Sequence, residues 1–392
     1  MKLSVGTTCI SVIALVVMLG QVAFLCVLKN PWHDPSERVP SGGSTLGEAH
    51  TSVAKSYAEQ PPSLLFMLAS YSFDQFRSVQ RVLDCMRDIC NAGWDVTVHM
   101  QVSPDSLSYA HPMFAVLRER AFCLRTGAPV PIVLEQFERI GFGLNSKHRA
   151  YAAAHVEEFD YFAYAEEDML LSLSHLQAFI AAQARLREAL PRHWLRYQVG
   201  FLRYEESLHD FHRVTWEYFP HQVHVVDMGL QQPSLGKYIF TNNLNQAIYI
   251  FPREQLLDLE QRCEFLTRPG RNAFYQELRR AQNKDWRYMS VGVSEWSSSF
   301  QQVLQCGLRR IIPAEHFQLY MIHHSTDKAQ KRRLRKELLT VHNWTQLVAN
   351  KSLPAHCISI EQAQYGVLPQ QYSLELMDLD SLRGKAKWDW DL

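Results

Sequence analysis

The stretch Tyr161-Phe162-Ala163-Tyr164-Ala165-Glu166-Glu167-Asp168-Met169 decides how this chain is read. Its apolar, aromatic first half has the composition of a strand buried on both faces, and it stops abruptly in three carboxylates. In an open α/β sheet, ligands bind beyond the carboxyl ends of the strands, so an acidic strand end marks a place for a metal-bound substrate. Side chains alternate along an extended chain, which would turn Glu166 and Asp168 to one side and Glu167 to the other. Two carboxylates converging on one point repel each other unless a cation lies between them. Oxygen-only donors favour a hard ion, Mg²⁺ or Mn²⁺, with positions left for phosphate oxygens. Acidic clusters also mark solvated loops and the first turns of helices, where negative charge suits the dipole. A strand this apolar leading into the acids favours the metal.

Outward from that stretch, the chain opens into a doubly wound pattern. Ser63 to Ser70 (SLLFMLAS) reads as a buried strand. From Phe73 to Cys90, apolar residues at Phe76, Val79, Val82, Leu83, Met86 and Ile89 follow a helical spacing that Gly93 stops. Trp94 to Val102 alternates as a second strand, so strand, helix and strand form a right-handed βαβ opening. Neither GxGxxG after the first strand nor GxxxxGK[ST] anywhere is present, which disfavours a dinucleotide enzyme or a P-loop NTPase. Val130 to Phe137 is a further strand, Gly141-Phe142-Gly143 turns the chain, and Asn145 to Phe159 reads as a helix leading to the acidic strand. Lys147, His148 and Arg149 fall in its first turn, where cations oppose the dipole. That misfit hints at an anionic ligand, although surface charges balanced by Glu157 and Glu158 explain it equally.

Beyond the acids, Gln198 to Tyr204 (QVGFLRY) reads as one strand ending at Glu205-Glu206. Lys237 to Phe251 is amide-rich at its centre, with Asn242, Asn243, Asn245 and Gln246, and closes in a strand. Amides suit sugar hydroxyls, and an ordinary polar loop would use the same letters. Arg253 to Phe265 is an amphipathic helix. Val293-Ser294-Glu295-Trp296 precedes the helical stretch Ser297 to Cys306, with Glu295 placed either as a general base or as a capping carboxylate. Trp296 offers an indole that could stack on a sugar ring. Arg309 to Pro313 is a short strand, and Met321-Ile322-His323-His324 follows it. Neighbours on an extended segment point oppositely, so one of the two histidines at most would face a given site; His324 is preferred.

The amino terminus settles the expected compartment. No charge lies between Lys2 and Lys29, and residues 5–28 are apolar enough and long enough to span a bilayer as an uncleaved anchor. Residues 1–4 would be a cytosolic tail, 29–62 a Pro/Ser/Gly-rich stem unable to bury a core, 63–325 the body and 326–392 an extension. Sequons at Asn343-Trp344-Thr345 and Asn350-Lys351-Ser352 fit a lumenal carboxyl-terminal region. Cys85, Cys90, Cys123, Cys263, Cys306 and Cys357 lie beyond the anchor, where an oxidising lumen permits disulfides and the sequence leaves every pairing open. Basic and acidic residues balance at 40 each, so nothing marks a nucleic-acid surface. The basic run Lys328 to Lys336 reads as a solvated helix face, or more remotely as a contact for a diphosphate or an anionic acceptor.

The anchor, stem, βαβ opening and FDYFAYAEEDM together resemble lumenal type II glycosyltransferases of the GT-A fold, whose mark is a short Asp-x-Asp variant at a strand end. Here the variant is Glu166-x-Asp168. The resemblance implies an α/β, Rossmann-like, doubly wound mixed sheet in one catalytic domain, and Mn²⁺ or Mg²⁺ held by Glu166 and Asp168 against the diphosphate of a nucleotide sugar. It implies His323 or His324 as a further metal ligand. Glu295 would be the base of an inverting transfer, and Lys147, His148, Arg149, Asn242, Asn243 and Trp296 would line the donor and acceptor. The implied reaction moves a sugar to a hydroxyl of a glycan or glycoprotein at the Golgi membrane, or in the endoplasmic reticulum. The alternative is a lumenal sugar-binding or scaffold protein that keeps the fold without turnover; a metal-dependent hydrolase ranks last.

Overall fold

The computed structural model describes residues 61–70, 75–103, 107–137, 144, 146–206, 213–215, 223–228, 234–241, 246–267, 299, 301–325, 339–340 and 353–354. Segments 1–4, 5–28 and nearly all of the stem lie outside them, as do Gly141 to Gly143, Asn242, Asn243, Asn245, Glu295, Trp296, the basic run, both sequons and Cys357. Among the described residues, no helix is long and apolar enough to cross a membrane.

In chain order the first half comprises β1 (Ser63–Ser70), α1 (Phe76–Asn91), β2 (Asp95–Val102), α2 (Pro112–Arg120), β3 (Phe122–Cys123), β4 (Ala128–Pro129), β5 (Ile132–Gln136), α3 (His148–Ala154), β6 (Tyr161–Glu166), β7 (Met169–Leu170) and α4 (Leu173–Ala189). The second half adds β8 (Tyr197–Val199), β9 (Leu202–Glu206), β10 (Arg213–Thr215), β11 (Val223–Asp227), β12 (Lys237–Thr241), β13 (Ile248–Pro252), α5 (Arg253–Cys263), α6 (Gln301–Leu304), β14 (Arg309–Pro313), β15 (Met321–His324), β16 (Leu339–Thr340) and β17 (Leu353–Pro354).

The central sheet runs β13-β6-β1-β2-β5, with β5, β2, β1 and β6 parallel and β13 antiparallel at one edge. Both its faces are covered, which is why β1 and β6 carry hydrophobic runs rather than alternation. Leu64, Phe66, Leu68, Ala163 and Ala165 pack with Val79, Val82, Leu83 and Met86 of α1 and with Leu176 and Phe179 of α4. Leu65, Met67, Phe162, Tyr164, Tyr249 and Phe251 pack on the opposite face with Ala152 of α3 and Leu256 and Leu259 of α5. Gly93 ends α1 in the left-handed region at φ 107°, which glycine adopts without strain, and lets the chain reverse into β2. Disulfides join Cys90 to Cys123 and Cys263 to Cys306.

The strand order places a topological switch point between β1 and β6: the chain proceeds outward from β1 to β2 and β5, then returns to β1's other side as β6. Two side-chain clips hold this pair in register. At the amino end, the Ser63 backbone N–H and hydroxyl donate to Asp160 Oδ2 at 3.0 and 2.9 Å. At the carboxyl end, the Ser70 hydroxyl donates to Glu167 Oε2 at 2.5 Å.

Two readings of local structure are corrected. Gln198 to Tyr204 is not one strand: the chain breaks at Gly200 and Phe201, with β8 pairing with β14 and β9 with β15. A Cβ at Gly200 would stand 2.6 Å from Arg310 Cγ and 2.8 Å from Gln246 Nε2, so glycine is needed where the chain passes between two sheets. The helix expected over residues 145–159 is confined to α3; a turn in which Glu158 N–H donates to His155 O at 3.0 Å replaces its end.

Candidate active site

The acidic run emerges at the switch point. β6 ends at Glu166, whose N–H donates to Ala247 O, and residues 167–168 form a turn before β7. The premise of an extended chain through Asp168 therefore fails, and with it the expectation that Glu166 and Asp168 share one side by alternation. Glu166 is half-buried at the strand end; Glu167 is buried and tied back to β1 through Ser70 and through its own N–H to Ala69 O at 3.1 Å. Asp168, the second residue of the turn, meets a different set of neighbours.

Those neighbours come from a second sheet, β16-β10-β9-β15-β7. β15 runs antiparallel to β7, pairing His324 with Met169, and parallel to β9, pairing His323 with Tyr204. That register sets His324 of β15 between Glu205 of β9 and Asp168, which directly precedes β7, so the three side chains form a row centred on the imidazole. His324 Nε2 stands 3.1 Å from Asp168 Oδ2, and Nδ1 stands 2.8 Å from Glu205 Oε1. The three residues are 4%, 4% and 2% exposed, so each contact replaces water. Burial opposes the imidazolium, but its hydrogen bonds to Asp168 and Glu205 and the Asp168 charge outweigh it and raise the His324 pKa; nearby Arg203 pulls the other way.

The backbone reinforces this row. Ser325 N–H donates to Asp168 O at 2.7 Å, and the Ser325 and Ser78 hydroxyls stand 2.9 Å apart, tying the end of β15 to α1. At the start of β15, His175 holds the strand against α4. Its Nδ1 accepts from Ser172 N–H at 3.0 Å as part of the α4 capping box, which leaves Nε2–H to donate to Met321 O at 2.9 Å.

A carboxylate and an imidazole are both donor types that a divalent ion takes. Two neighbouring ligands about 2.1 Å from an octahedral ion stand about 3 Å apart, close to the 3.1 Å between His324 Nε2 and Asp168 Oδ2. A metal-bound imidazole characteristically gives its second N–H to a carboxylate, the position Glu205 occupies. Among the described residues no group of three His, Cys, Asp or Glu side chains is arranged to hold a metal by itself. Two protein donors leave the remaining positions of a hard ion to substrate oxygens and water.

The other candidate residues lie elsewhere. His323 points away from Asp168: its ring stacks on Tyr204 with centroids 5.2 Å apart, and Nδ1 lies 3.4 Å from Arg81. His148 and Arg149 are fully buried beneath the sheet, and their placement on an anionic ligand gives way to a packing role. His148 stacks on Tyr164 at 4.1 Å and hydrogen-bonds the Tyr249 hydroxyl. Arg149 lies over the Phe265 ring at 3.9 Å and donates to Phe265 O at 3.0 Å and Gln301 Oε1 at 2.7 Å. Burial pulls its pKa down to about 10, and it stays charged at neutral pH. Lys147 is exposed at the start of α3, 5.8 Å from the Phe137 ring centroid. Glu205 is the site residue that sequence reasoning passed over; its only signal was a strand ending in acid.

No family model and no curated protein matches the chain. Solved structures similar to it include S. aureus TarS residues 1–349, at 11% identity and TM-score 0.37, covering 82% of this chain and 75% of that one. The glycosyltransferase GlyE of Streptococcus pneumoniae is similar at 10% identity and TM-score 0.29, with 74% and 60% covered. The inositol-1-phosphate CTP transferase of T. maritima is similar at 10% identity and TM-score 0.31, with 75% and 98% covered.

Proposed function

We propose that this chain is a metal-dependent glycosyltransferase of the GT-A type. It moves a sugar from a nucleotide-diphosphate sugar to a hydroxyl of a glycan or glycoprotein in the secretory pathway. The observation that carries the reading is the meeting of Asp168 with His324 where the acidic strand ends at the switch point. Asp168 Oδ2 and His324 Nε2 would hold Mn²⁺, or Mg²⁺, with Glu166, two residues before Asp168 in the chain, as the further ligand of the acidic motif. The ion would neutralise charge developing on the leaving diphosphate. The chain's own groups orient the donor at a buried strand end, where water is excluded and electrostatic contacts are strong. Glu295, outside the described residues, is assigned the acceptor proton.

The two disulfides support an oxidising compartment. With the apolar segment 5–28 as anchor, the body would face the lumen, at the Golgi membrane in a single-pass type II arrangement. The test is a panel of nucleotide sugars with Mn²⁺, following free nucleoside diphosphate for the wild type and Asp168→Ala. Release that depends on metal and disappears with Asp168 supports the reading. Sugar binding without release points to a non-catalytic protein, and release that survives the substitution removes the acidic turn from the chemistry.

A further inference from the structure

We propose that Glu205 is the positioning residue of this site: it fixes the tautomer and ring orientation of His324 so that Nε2 is presented to a divalent ion beside Asp168. The proposal rests on the metal reading given above and goes beyond it to a residue that the acidic motif does not contain.

The argument starts from donor and acceptor chemistry. An ionised carboxylate only accepts hydrogen bonds, so the 2.8 Å contact from Glu205 Oε1 places a proton on His324 Nδ1. The 3.1 Å contact of Nε2 with Asp168 Oδ2 calls for a proton on that nitrogen as well; with Nδ1 held by Glu205, Nε2 is the nitrogen that would give up its proton to an ion beside Asp168. Sheet register produces the arrangement. In the parallel pair, Met321, Ile322 and His323 face Leu202, Arg203 and Tyr204 in turn, which brings His324 alongside Glu205. Alternation then sorts the neighbours: His323 stacks on Tyr204, while His324 lies with Glu205 and within electrostatic reach of Arg203. A one-residue slip of β15 against β9 that brought Ser325 opposite Glu205 would carry His324 to the other face and leave the carboxylate without an imidazole. Glu205 is 2% exposed, so no water stands ready to replace it as the acceptor.

The experiment uses the full chain and Mn²⁺ alone. Free ion is counted by electron paramagnetic resonance, imidazole nitrogen modulation is read on the bound ion by pulsed methods, and near-ultraviolet circular dichroism reports the fold. In the wild type, bound Mn²⁺ shows nitrogen modulation. Glu205→Leu binds Mn²⁺ about 10- to 100-fold more weakly and loses much of that modulation. Glu205→Gln keeps an acceptor of the same shape without the charge, so it binds several-fold more weakly and retains the modulation. A role confined to holding the strands together would lower thermal stability and leave Mn²⁺ affinity of the folded protein unchanged. Wild-type affinity and modulation in both variants would overturn the role of Glu205 and leave the metal reading standing. A wild type that binds no Mn²⁺, or binds it without nitrogen modulation, overturns that reading and this inference together. Should Glu205→Leu fail to fold, Glu205→Gln decides, and an unchanged affinity there overturns the proposal.

Discussion

The two ends of the β1–β6 strand pair are built from the same kinds of residue and do different work. At the amino end, Ser63 clips Asp160, and Arg253 closes the arrangement by donating to Phe159 O at 2.7 Å and Asp160 Oδ1 at 3.2 Å. That end is partly exposed, and its acid meets a hydroxyl and a permanent cation. At the carboxyl end, Ser70 clips Glu167, but the next acid, Asp168, is buried against an imidazole that a second carboxylate holds in place. An arginine stays charged at any working pH, whereas a histidine can exchange its proton for a metal. The first end is a fastening; the second is a fastening with a site attached.

The sharpest way to break this comparison is to remove the acid at the carboxyl end. Asp168→Ala should reduce metal-dependent nucleotide release by about a thousandfold or more, equivalent to about 4 kcal/mol in the barrier, and steady-state assays of released diphosphate measure it. The sheet beneath both ends is the common support. Phe66→Ala, which empties a fully buried position on β1, should cost about 3 kcal/mol by urea unfolding and weaken both ends together.

A third perturbation separates stability from chemistry by pH. His99, on β2 of the same sheet, is fully buried, stacks on Tyr151 at 3.8 Å and contacts Glu135 at 2.9 Å. Burial, helped by His155, lowers its pKa from 6.5 to about 4, and burial raises that of Glu135, so both are driven toward neutral forms. The unfolded chain therefore takes up the His99 proton first. Its contribution is intact above pH 6.5 and falls away toward pH 4, by about 3 kcal/mol at most. Unfolding midpoints against pH should trace that slope, and His99→Gln should flatten it. The smallest effect belongs to the amino end. Ser63→Ala removes the hydroxyl's contacts with Asp160 and should cost about 1 kcal/mol, with Mn²⁺ affinity unchanged.

Much of the sheet was legible because its signals are local. The apolar runs of β1 and β6 need no partner to be recognised, and Gly93 announces the turn into β2 by itself. The acidic strand end was legible for the same reason. What escaped was set by pairing between distant segments. The break at Gly200 lies against Arg310 and Gln246, about 110 and 46 residues further along the chain, which no window of sequence registers. The preference for His324 over His323 had no local signal behind it, because the register of β15 against both β7 and β9 decides it, and the importance of Glu205, which did escape, depends on the same register. Arg149 misled because a cation in a first helical turn is ordinarily exposed; here the Phe265 ring, its carbonyl and the Gln301 amide receive it inside the core.

The central claim is that a divalent ion is held where Asp168 meets His324. Crystals grown with Mn²⁺ and a nucleoside diphosphate, measured at the manganese absorption edge, test it most directly. The expected result is an anomalous peak at bonding distance from His324 Nε2 and Asp168 Oδ2, with Glu205 still behind the ring. A peak bound elsewhere, or an Asp168–His324 contact left intact while the nucleotide binds at another face, would contradict it.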